Sequence, residues 1–295
     1  MTFVRKAYAK VNFTLELLGK RPDGYHNLRS LVVPVSLADE LEIDPFASKT
    51  ECILAPDGTV AAGILAGEAP EKNLAVKAVR LMQELTGEKR EARIVLHKHI
   101  PLGGGLGGGS ADAATVLRTL NDAWKCGFSL AELAAYSAQI GSDIPSLVLG
   151  GAVLMEGRGE TVHPFAVEHF NLPLVIANPL VHSSTKEVFA HSSISRLPEE
   201  GGIVYNMEQA LRLGDSRAVA EALQNDLEEA SCALHGSVAR ALEFLRTSGA
   251  LGASLSGSGA SVFAIASSSE NAGEIASRAR EEGLAAWVAH TCPVM

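Results

Sequence analysis

Alternating apolar and polar residues mark the first predicted strand. Between residues 7 and 17 every odd position is apolar, and the even positions carry more polar side chains: Tyr8, Lys10, Asn12, Thr14 and Glu16. A period of two places these two sets on opposite faces, so we predict a strand with one buried and one solvent-facing side. The run Arg21-Pro22-Asp23-Gly24 ends it, because proline, aspartate and glycine favour a turn.

Apolar residues three or four apart predict helices further along the chain. Helices are predicted over residues 71–85 and 110–124, and Ser129 with Glu132 forms a capping box for a third that ends near Gly141. Short apolar runs predict further strands: 31–37, 41–43, 93–96, 152–156, 160–162, 174–177, 261–266 and 286–290. After a loop over 183–202, further helices are predicted: 207–213, 217–223 and 270–282. Strands and helices mixed in this order predict the α+β fold class.

The length of 295 residues predicts two domains rather than one. We place the boundary after residue 157, which gives an amino-terminal domain of residues 1–157 and a carboxyl-terminal domain of residues 158–295. Hydrophobic residues make up 47% of the chain and charged residues 20%, so both domains can bury a core.

Charge and cysteine content exclude several classes of protein. The formal net charge is -9 and no long basic block occurs, so we expect no nucleic-acid partner. The four cysteines lie too far apart for a zinc cluster or a disulfide framework, which suits a reducing cytoplasm. The amino terminus lacks the apolar core of an export signal, and the charge-free stretch 247–269 is too rich in glycine and serine to span a membrane. We therefore expect a soluble cytoplasmic protein with no membrane partner.

A glycine-rich segment, PLGGGLGGGSADAA at residues 101–114, carries the strongest functional signal. Six of the seven residues from 103 to 109 are glycine, and a predicted helix follows near Ser110. Glycines let the backbone approach a ligand and turn successive N–H groups inward, and a helix amino terminus favours negative charge. We therefore predict a phosphate site; the alternative is a merely flexible loop.

Two common phosphate motifs do not fit this segment. No Gly-Lys-Ser/Thr closes it, so it is not a Walker A loop. Gly103, Gly105 and Gly108 match G-x-G-x-x-G, but a dinucleotide fold requires a parallel strand after the helix, and here a second helix is predicted.

Three motifs in order resemble one kinase family. The segment PLGGGLGGGSADAA is similar to the glycine-rich second motif of the galactokinase, homoserine, mevalonate and phosphomevalonate (GHMP) kinase superfamily. AKVNF at 9–13 with RPDGYHN at 21–27 resembles the first motif of one branch, and LSGSGASVF at 255–263 resembles the third motif. That branch acts on a cytidine diphosphate derivative of methylerythritol in the non-mevalonate isoprenoid pathway.

The resemblance implies a fold and an activity. It implies a two-domain GHMP-kinase-like fold, with a ribosomal-protein-type left-handed βαβ amino-terminal domain and a ferredoxin-like carboxyl-terminal domain. It also implies ATP and Mg²⁺, and transfer of the γ-phosphoryl group to the 2-hydroxyl of a small-molecule cytidine diphosphate substrate. We expect a monomer or a weak homodimer.

ATP-binding residues are predicted in and just before the glycine-rich segment. Lys98 contacts the nucleotide in this interpretation, although a solvent-facing strand residue is the alternative. Ser110 is a candidate Mg²⁺ ligand, but this chain has Gly108 and Gly109 where the wider superfamily commonly has serines. The full predicted set is Lys98, Pro101, Leu102, Gly103, Gly104, Gly105, Leu106, Gly107, Gly108, Gly109, Ser110 and Ala111.

Two residues are candidates for the chemistry of phosphoryl transfer, which needs charge neutralisation and a group that accepts the proton of the hydroxyl. Asp143 stands before Ile144-Pro145, where it could be a base or the N-cap of the next helix. Lys10 could offset phosphoryl charge or be a surface lysine. The resemblance implies that the aspartate is catalytic and that the lysine pairs with it.

Aromatic residues supply the candidate cytidine site. A tyrosine ring can stack on a pyrimidine and an imidazole can hydrogen-bond its edge, and the resemblance assigns Tyr25 and His26 to this role. We predict Phe189 as the second aromatic, with ordinary core packing as the alternative, and Asn12 as a further substrate-binding residue.

Two other functions stay open from the sequence. Another GHMP-type kinase, acting on homoserine or a mevalonate derivative, would give Tyr25 and His26 no base to stack on. A nucleotide-binding regulator without catalysis would keep the glycine loop, but intact Lys10 and Asp143 argue against it.

Overall fold

The computed structural model describes residues 1–56, 70–167, 171–193 and 202–292. Its strands are β1 Phe3–Asn12, β2 Thr14–Lys20, β3 His26–Ala47, β4 Glu51–Leu54, β5 Glu91–His97, β6 Val153–Gly157, β7 Thr161–Pro164, β8 Pro173–Asn178, β9 Gln224–Asn225, β10 Gly252–Leu255, β11 Val262–Ile265 and β12 Ala285–His290. Its α-helices are α1 Leu74–Thr86, α2 Gly108–Ala123, α3 Leu130–Ser137, α4 Ile144–Leu149, α5 Thr185–His191, α6 Gly202–Leu213, α7 Ser216–Glu221, α8 Glu228–Leu234, α9 Gly236–Thr247 and α10 Ser269–Glu281. A short 3₁₀ turn, Pro70–Lys72, precedes α1.

The chain forms two compact units that are discontinuous in sequence. Unit 1 consists of Met1–Ala9, Ala38–Leu102 and Gly107–Gly150, and unit 2 consists of Lys10–Leu37, Gly103–Leu106 and Gly151–Met295. The boundary after residue 157 stays a prediction. In addition, residues 10–37 and 103–106 belong to unit 2, together with the carboxyl-terminal part of the chain.

Unit 1 combines a small sheet with a group of helices. The second part of β3 pairs antiparallel with β5, from Glu40 opposite His97 to Ala47 opposite Glu91, and β4 pairs parallel with β5. Helix α1 packs on α2, and α4 packs on both α2 and α3. The Trp124 indole N–H donates to the Pro45 carbonyl over 2.7 Å, which ties the end of α2 to β3.

Unit 2 contains a four-stranded antiparallel sheet in the order β10-β11-β8-β12. Helices α9 and α10 pack on this sheet. Strand β8, α9, β10, β11, α10 and β12 follow the βαββαβ order of a ferredoxin-like fold. The unit also holds a meander in which β3 pairs with β2 and β6, and β6 pairs with β7. The predicted α+β class is confirmed.

The amino-terminal strand differs from its prediction. It is divided into β1 and β2 at Phe13, and residues 9–17 are buried on both faces, so the half-buried strand is wrong. The polar face is buried because its side chains have internal partners. Thr14 Oγ1, for example, accepts from the Leu31 backbone N–H over 2.9 Å.

Several other boundaries also move. The strands predicted at 31–37 and 41–43 form one strand, β3, and α2 begins at Gly108 rather than Ser110. The loop predicted over 183–202 contains α5, while its residues 194–201 lie outside the described part. The capping box of Ser129 is confirmed, although α3 ends at Ser137. Within the described ranges, none of the helices is long and apolar enough to cross a bilayer.

Candidate active site

In unit 2 the middle of the glycine loop is hydrogen-bonded to the first and third motifs. The Leu106 carbonyl accepts from the Lys10 backbone N–H over 2.9 Å. The Gly104 carbonyl accepts from Ser261 N–H over 3.0 Å, and the Gly105 carbonyl accepts from Ser256 Oγ, also over 3.0 Å. Three segments that are remote in sequence therefore share one hydrogen-bonded assembly.

Gly105 has a structural reason to be glycine. Its φ is +74°, and a Cβ there would lie 2.0 Å from the Ser256 carbonyl oxygen. Such a contact is far inside van der Waals distance, so any side chain would push the loop away from residues 255–263. The close approach of two backbones explains this glycine without any ligand.

In unit 1 the loop continues into α2. Gly107 is the N-cap, in the left-handed conformation with φ +69°, and as a glycine it has no side chain that could cap the helix. The first N–H groups of a helix lack intrahelical partners and favour an anion. Ser110, the third residue of α2, is half-buried in this first turn. The phosphate-site prediction for these residues stays a prediction.

Lys98 lies in a buried ionic cluster in unit 1. It is 3% exposed, its ammonium contacts Asp39 Oδ2, and it lies 2.8 Å from Asp112 Oδ2. Burial alone would lower the pKa of Lys98, but the two carboxylates outweigh it and raise that pKa. The solvent-facing alternative is therefore wrong, because Lys98 has carboxylate partners inside the unit. Its predicted contact with the nucleotide stays a prediction.

Lys10 and Asn12 lie next to each other on β1. Lys10 is 3% exposed, and its Nζ donates to Asn12 Oδ1 over 2.7 Å. Asn12 Nδ2 in turn donates to Ser30 Oγ on β3 over 2.8 Å. The surface-lysine alternative for Lys10 is wrong. A buried cation whose partner amide is itself held in place has a defined position, which the neutralisation of phosphoryl charge requires.

Asp143 directly precedes α4 in unit 1. Its backbone occupies the N-cap position, but its side chain makes no capping hydrogen bond to the helix. The carbonyl of Asp143 accepts from Ser146 Oγ over 2.8 Å. The alternative role as a side-chain N-cap is therefore not supported, and the role as base stays a prediction.

The predicted cytidine residues lie together in unit 2. The rings of His26 and Phe189 have their centroids 5.5 Å apart at 34°, although 163 positions separate them (189 minus 26). Burial lowers the pKa of His26, and nearby Lys20 adds to the effect. Tyr25 is 58% exposed, and the Arg158 guanidinium lies 5.1 Å from its ring centroid. Phe189 also packs against the core of the unit, as the alternative for this residue predicts, and its role toward the base stays a prediction.

Three supporting residues escaped the sequence interpretation. Asn225 Nδ2 donates to the Leu255 and Gly257 carbonyls over 2.9 and 2.8 Å and so holds the third motif. Asp39 and Asp112 surround Lys98. Single Asn and Asp residues are common in turns and caps, so the sequence offers no signal for these roles. Arg158, which contacts the ring of Tyr25, lies in the turn between the strands predicted at 152–156 and 160–162, a pattern that indicates only a turn.

Within the ranges that the structure describes, no group of three or more His, Cys, Asp or Glu residues could hold an ion. Magnesium bound with a nucleotide takes part of its coordination from phosphate oxygens and water. A single hydroxyl such as that of Ser110 would suit that sparse donor set.

Comparison with known proteins gives the family of this chain. Residues 73–151 match the family model for the GHMP kinases N terminal domain, and residues 207–285 match the model for GHMP kinases C terminal. The chain is 40% identical over 290 residues to a protein of Symbiobacterium thermophilum, covering 97% of this chain and 98% of the relative. A relative from Pelotomaculum thermopropionicum is 36% identical and covers 95% and 94% of the two chains. Both are named 4-diphosphocytidyl-2-C-methyl-D-erythritol kinase.

Solved structures give the same result. A crystal structure of a 4-(cytidine 5'-diphospho)-2C-methyl-D-erythritol kinase superposes with a TM-score of 0.80 at 30% identity, covering 98% of this chain and 99% of the other. A homoserine kinase from Cytophaga hutchinsonii shares the fold, with a TM-score of 0.74 at 21% identity over 99% and 95% of the two chains. The chain belongs to the GHMP kinases, and it is therefore an enzyme that uses ATP to phosphorylate a small molecule.

Proposed function

We propose that this kinase phosphorylates the 2-hydroxyl of 4-diphosphocytidyl-2-C-methyl-D-erythritol in the non-mevalonate route to isoprenoid precursors. The observation that carries the proposal is full-length similarity, at 40% identity, to a relative named for that substrate. The string Pro22-Asp23-Gly24-Tyr25-His26 supports it from the sequence, and the contact of His26 with Phe189 supports it from the geometry.

ATP would bind along the glycine-rich segment. Backbone N–H groups of residues 103–109 and the uncapped start of α2 would donate to its phosphates. The other members of the proposed ATP set, Lys98, Pro101, Leu102, Ser110 and Ala111, flank those glycines. Positioning is the main requirement, because phosphoryl transfer asks the protein for little covalent chemistry.

Asp143 and Lys10 would carry the chemistry, roles that rest on the family resemblance. Asp143 would accept the proton of the attacking hydroxyl, and its side chain is not used for capping α4. Lys10 would offset the negative charge on the transferred group and stabilise the ionised aspartate. Its hydrogen bond to Asn12 keeps the ammonium in place, and Asn12 would also contact the substrate.

Tyr25, His26 and Phe189 would recognise the cytosine. A ring stacked on the base supplies affinity, and the imidazole supplies hydrogen bonds to its edge. The lowered pKa of His26 keeps the imidazole uncharged near pH 7, so that one ring nitrogen donates and the other accepts a hydrogen bond.

We also propose that Mg²⁺ accompanies ATP. Ser110 is the protein group that would reach it, while phosphate oxygens and water would complete the coordination. The ion would supply charge neutralisation on the phosphates.

Net charge and cysteine content support the proposed partners and cellular compartment. The net charge of -9 disfavours a nucleic-acid partner, and four free cysteines suit a reducing compartment such as the cytoplasm. A monomer or weak homodimer is expected by light scattering after size exclusion.

A comparison of acceptors tests the function. The purified enzyme is incubated with ATP, Mg²⁺ and either the cytidine substrate, homoserine or mevalonate, and ADP release is coupled to a spectroscopic signal. We expect turnover with the cytidine substrate alone. Turnover with homoserine or mevalonate instead would favour another GHMP-type kinase, and nucleotide binding without turnover would favour a regulator.

A further inference from the structure

Unit 1 contains a buried cluster of three ionisable residues, of which only Lys98 has a role in the proposed function, a contact with the nucleotide. It consists of Asp39 on β3, Lys98 just after β5, and Asp112 on α2, all at most 3% exposed. The Lys98 ammonium contacts one carboxylate oxygen of each aspartate. Burying three ionisable groups costs free energy even when they are paired. We therefore expect a structural role that offsets this cost.

The cluster contacts both stems of the glycine loop. Asp39 Oδ1 accepts from the backbone N–H groups of His99 and Ile100, over 2.6 and 2.8 Å, on the side that enters the loop. On the other side, Asp112 belongs to the second turn of α2. The Lys98 ammonium lies against the first residue of that helix, because a Cβ on Gly108 would be only 3.0 Å from Nζ. One ionic cluster thus joins the segment before the loop to the helix after it.

The hydrogen bonds distinguish the two aspartates. Both oxygens of Asp39 accept hydrogen bonds, whereas Asp112 Oδ1 is buried with no partner among the described residues. An ionised carboxylate with a bare buried oxygen is strongly disfavoured, and one lysine balances only one negative charge. Asp112 is therefore the group that holds a proton, with Asp39 and Lys98 as the ion pair.

The charged surroundings agree with that assignment. Burial raises the pKa of Asp112 to about 7, opposed by Lys98 and reinforced by Asp39. A further titratable group beside the cluster is Cys52 on β4, whose thiol stays neutral because burial raises its pKa to about 12. Among the described residues, Asp39, Lys98 and Cys52 thus face Asp112 from the elements around it.

We propose that Asp39, Lys98 and Asp112 are positioning residues that fix both stems of the glycine loop for ATP, with a proton held on Asp112. The glycines cost conformational entropy when the loop becomes ordered. Fixing the stems in advance lowers that cost and so increases affinity for ATP. The inference rests on the proposed function only in taking ATP as the ligand of the loop.

Binding of ATP to three variants tests the positioning role. Asp112→Ala removes the tie to α2, Asp112→Asn mimics the neutral acid, and Asp122→Asn changes an exposed carboxylate of the same helix as the control. At pH 6 we expect Asp112→Ala to raise the Kd of ATP by at least about threefold, while Asp112→Asn and the control stay within about twofold. The Kd of the cytidine substrate, measured without ATP, should not change.

The pH dependence of stability tests the proton. The ordinary pKa of an aspartate is 3.8 and that of Asp112 in the fold is about 7, so the folded protein binds more protons than the unfolded chain between these values. The stability contributed by the neutral acid is therefore lost as pH rises from about 4 to about 7. The urea midpoint of the wild type should fall across this pH range. The stability of Asp112→Asn relative to the wild type should rise across the same range, because the asparagine does not titrate.

The positioning role is overturned if Asp112→Ala binds ATP like the wild type, if this variant loses affinity for ATP and for the cytidine substrate equally, or if Asp112→Asn binds ATP as weakly as Asp112→Ala. It is also overturned if Asp112→Asn and the wild type respond alike to pH, a test that remains if the alanine variant does not fold. Because ATP binding is measured without an acceptor, a different acceptor would disprove the proposed function and leave this result intact.

Discussion

The stems of the glycine loop and the turn that carries Tyr25 differ in burial and in the interactions that their side chains make. The stems rest on the buried ion pair of Asp39 and Lys98 and on its hydrogen bond to Asp112, whereas Tyr25 is 58% exposed and contacts the guanidinium of Arg158. A buried ion pair costs stability when one partner is lost, but an exposed aromatic contributes its binding energy only when a ligand covers it. Substitutions in the stems should therefore lower stability and weaken ATP binding. Substitutions in the turn that carries Tyr25 should weaken only the binding of the acceptor.

Asp143 should differ from both regions because it would act on the reacting atoms. Asp143→Asn is expected to lower turnover by about 10²–10⁴-fold, the range for loss of a positioned general base. Binding of ATP and far-UV circular dichroism should stay unchanged, since the side chain does not cap α4. Near-full turnover would remove Asp143 as the base, and loss of helical signal would restore a structural role.

Lys98→Met breaks the buried region most directly. It leaves the buried Asp39 carboxylate without its cation and removes the hydrogen bond that Asp112 accepts, so we expect a loss of about 3–5 kcal/mol in the free energy of unfolding. Urea titration measures the change, and Lys89→Met, an exposed lysine in the same unit, serves as the control. If both variants unfold at the wild-type midpoint, the cluster does not stabilise unit 1.

Gly105→Ala tests the close approach of the loop to the third motif. A Cβ would clash with the Ser256 carbonyl at 2.0 Å, so we expect about 1–3 kcal/mol of destabilisation together with weaker ATP binding. Gly273→Ala is the control, because Gly273 lies outside the predicted ATP-binding set and a Cβ there would meet nothing within 4 Å. Equal behaviour of the two variants would mean that the loop moves freely away from residues 255–263.

Tyr25→Ala tests the exposed region and should have the smallest effect on the fold. We expect the KM of the cytidine substrate to rise by the equivalent of about 1–3 kcal/mol of stacking, with the Kd of ATP and the urea midpoint unchanged. Phe46→Ala, an aromatic 59% exposed in unit 1, is the control. Free methylerythritol phosphate, which lacks the base, should be a poor acceptor for both proteins. Equal losses on the two acceptors would place the cytidine site elsewhere.

Local patterns in the sequence predicted much of the fold. The capping box of Ser129 and the helix after the glycine loop follow from spacing over a few residues, whereas β10 and α9 have no counterpart among the predicted elements and the ferredoxin-like order was implied only by the family resemblance. The alternation at residues 7–17 failed as a guide to burial. A period of two shows which residues share a face, but not whether the polar face meets solvent or other polar side chains.

The long-range partners within each unit could not be predicted from such patterns. Asp39 lies 59 residues before Lys98, and nothing near either residue indicates the pairing. Asn225 supports the third motif through two carbonyl contacts that depend on tertiary structure alone. Phe189 was chosen as a partner of the cytidine site through the family resemblance, and its role toward the base stays a prediction.

The proposed kinase transfers phosphate to one hydroxyl of the cytidine substrate. The most direct measurement is phosphorus-31 and carbon-13 NMR of the product formed by the wild-type enzyme with ATP and Mg²⁺. We predict one new phosphomonoester coupled to carbon 2 of the methylerythritol, with the cytidine diphosphate intact. A phosphate on another carbon, or ADP and inorganic phosphate without a phosphorylated cytidine product, would contradict the account.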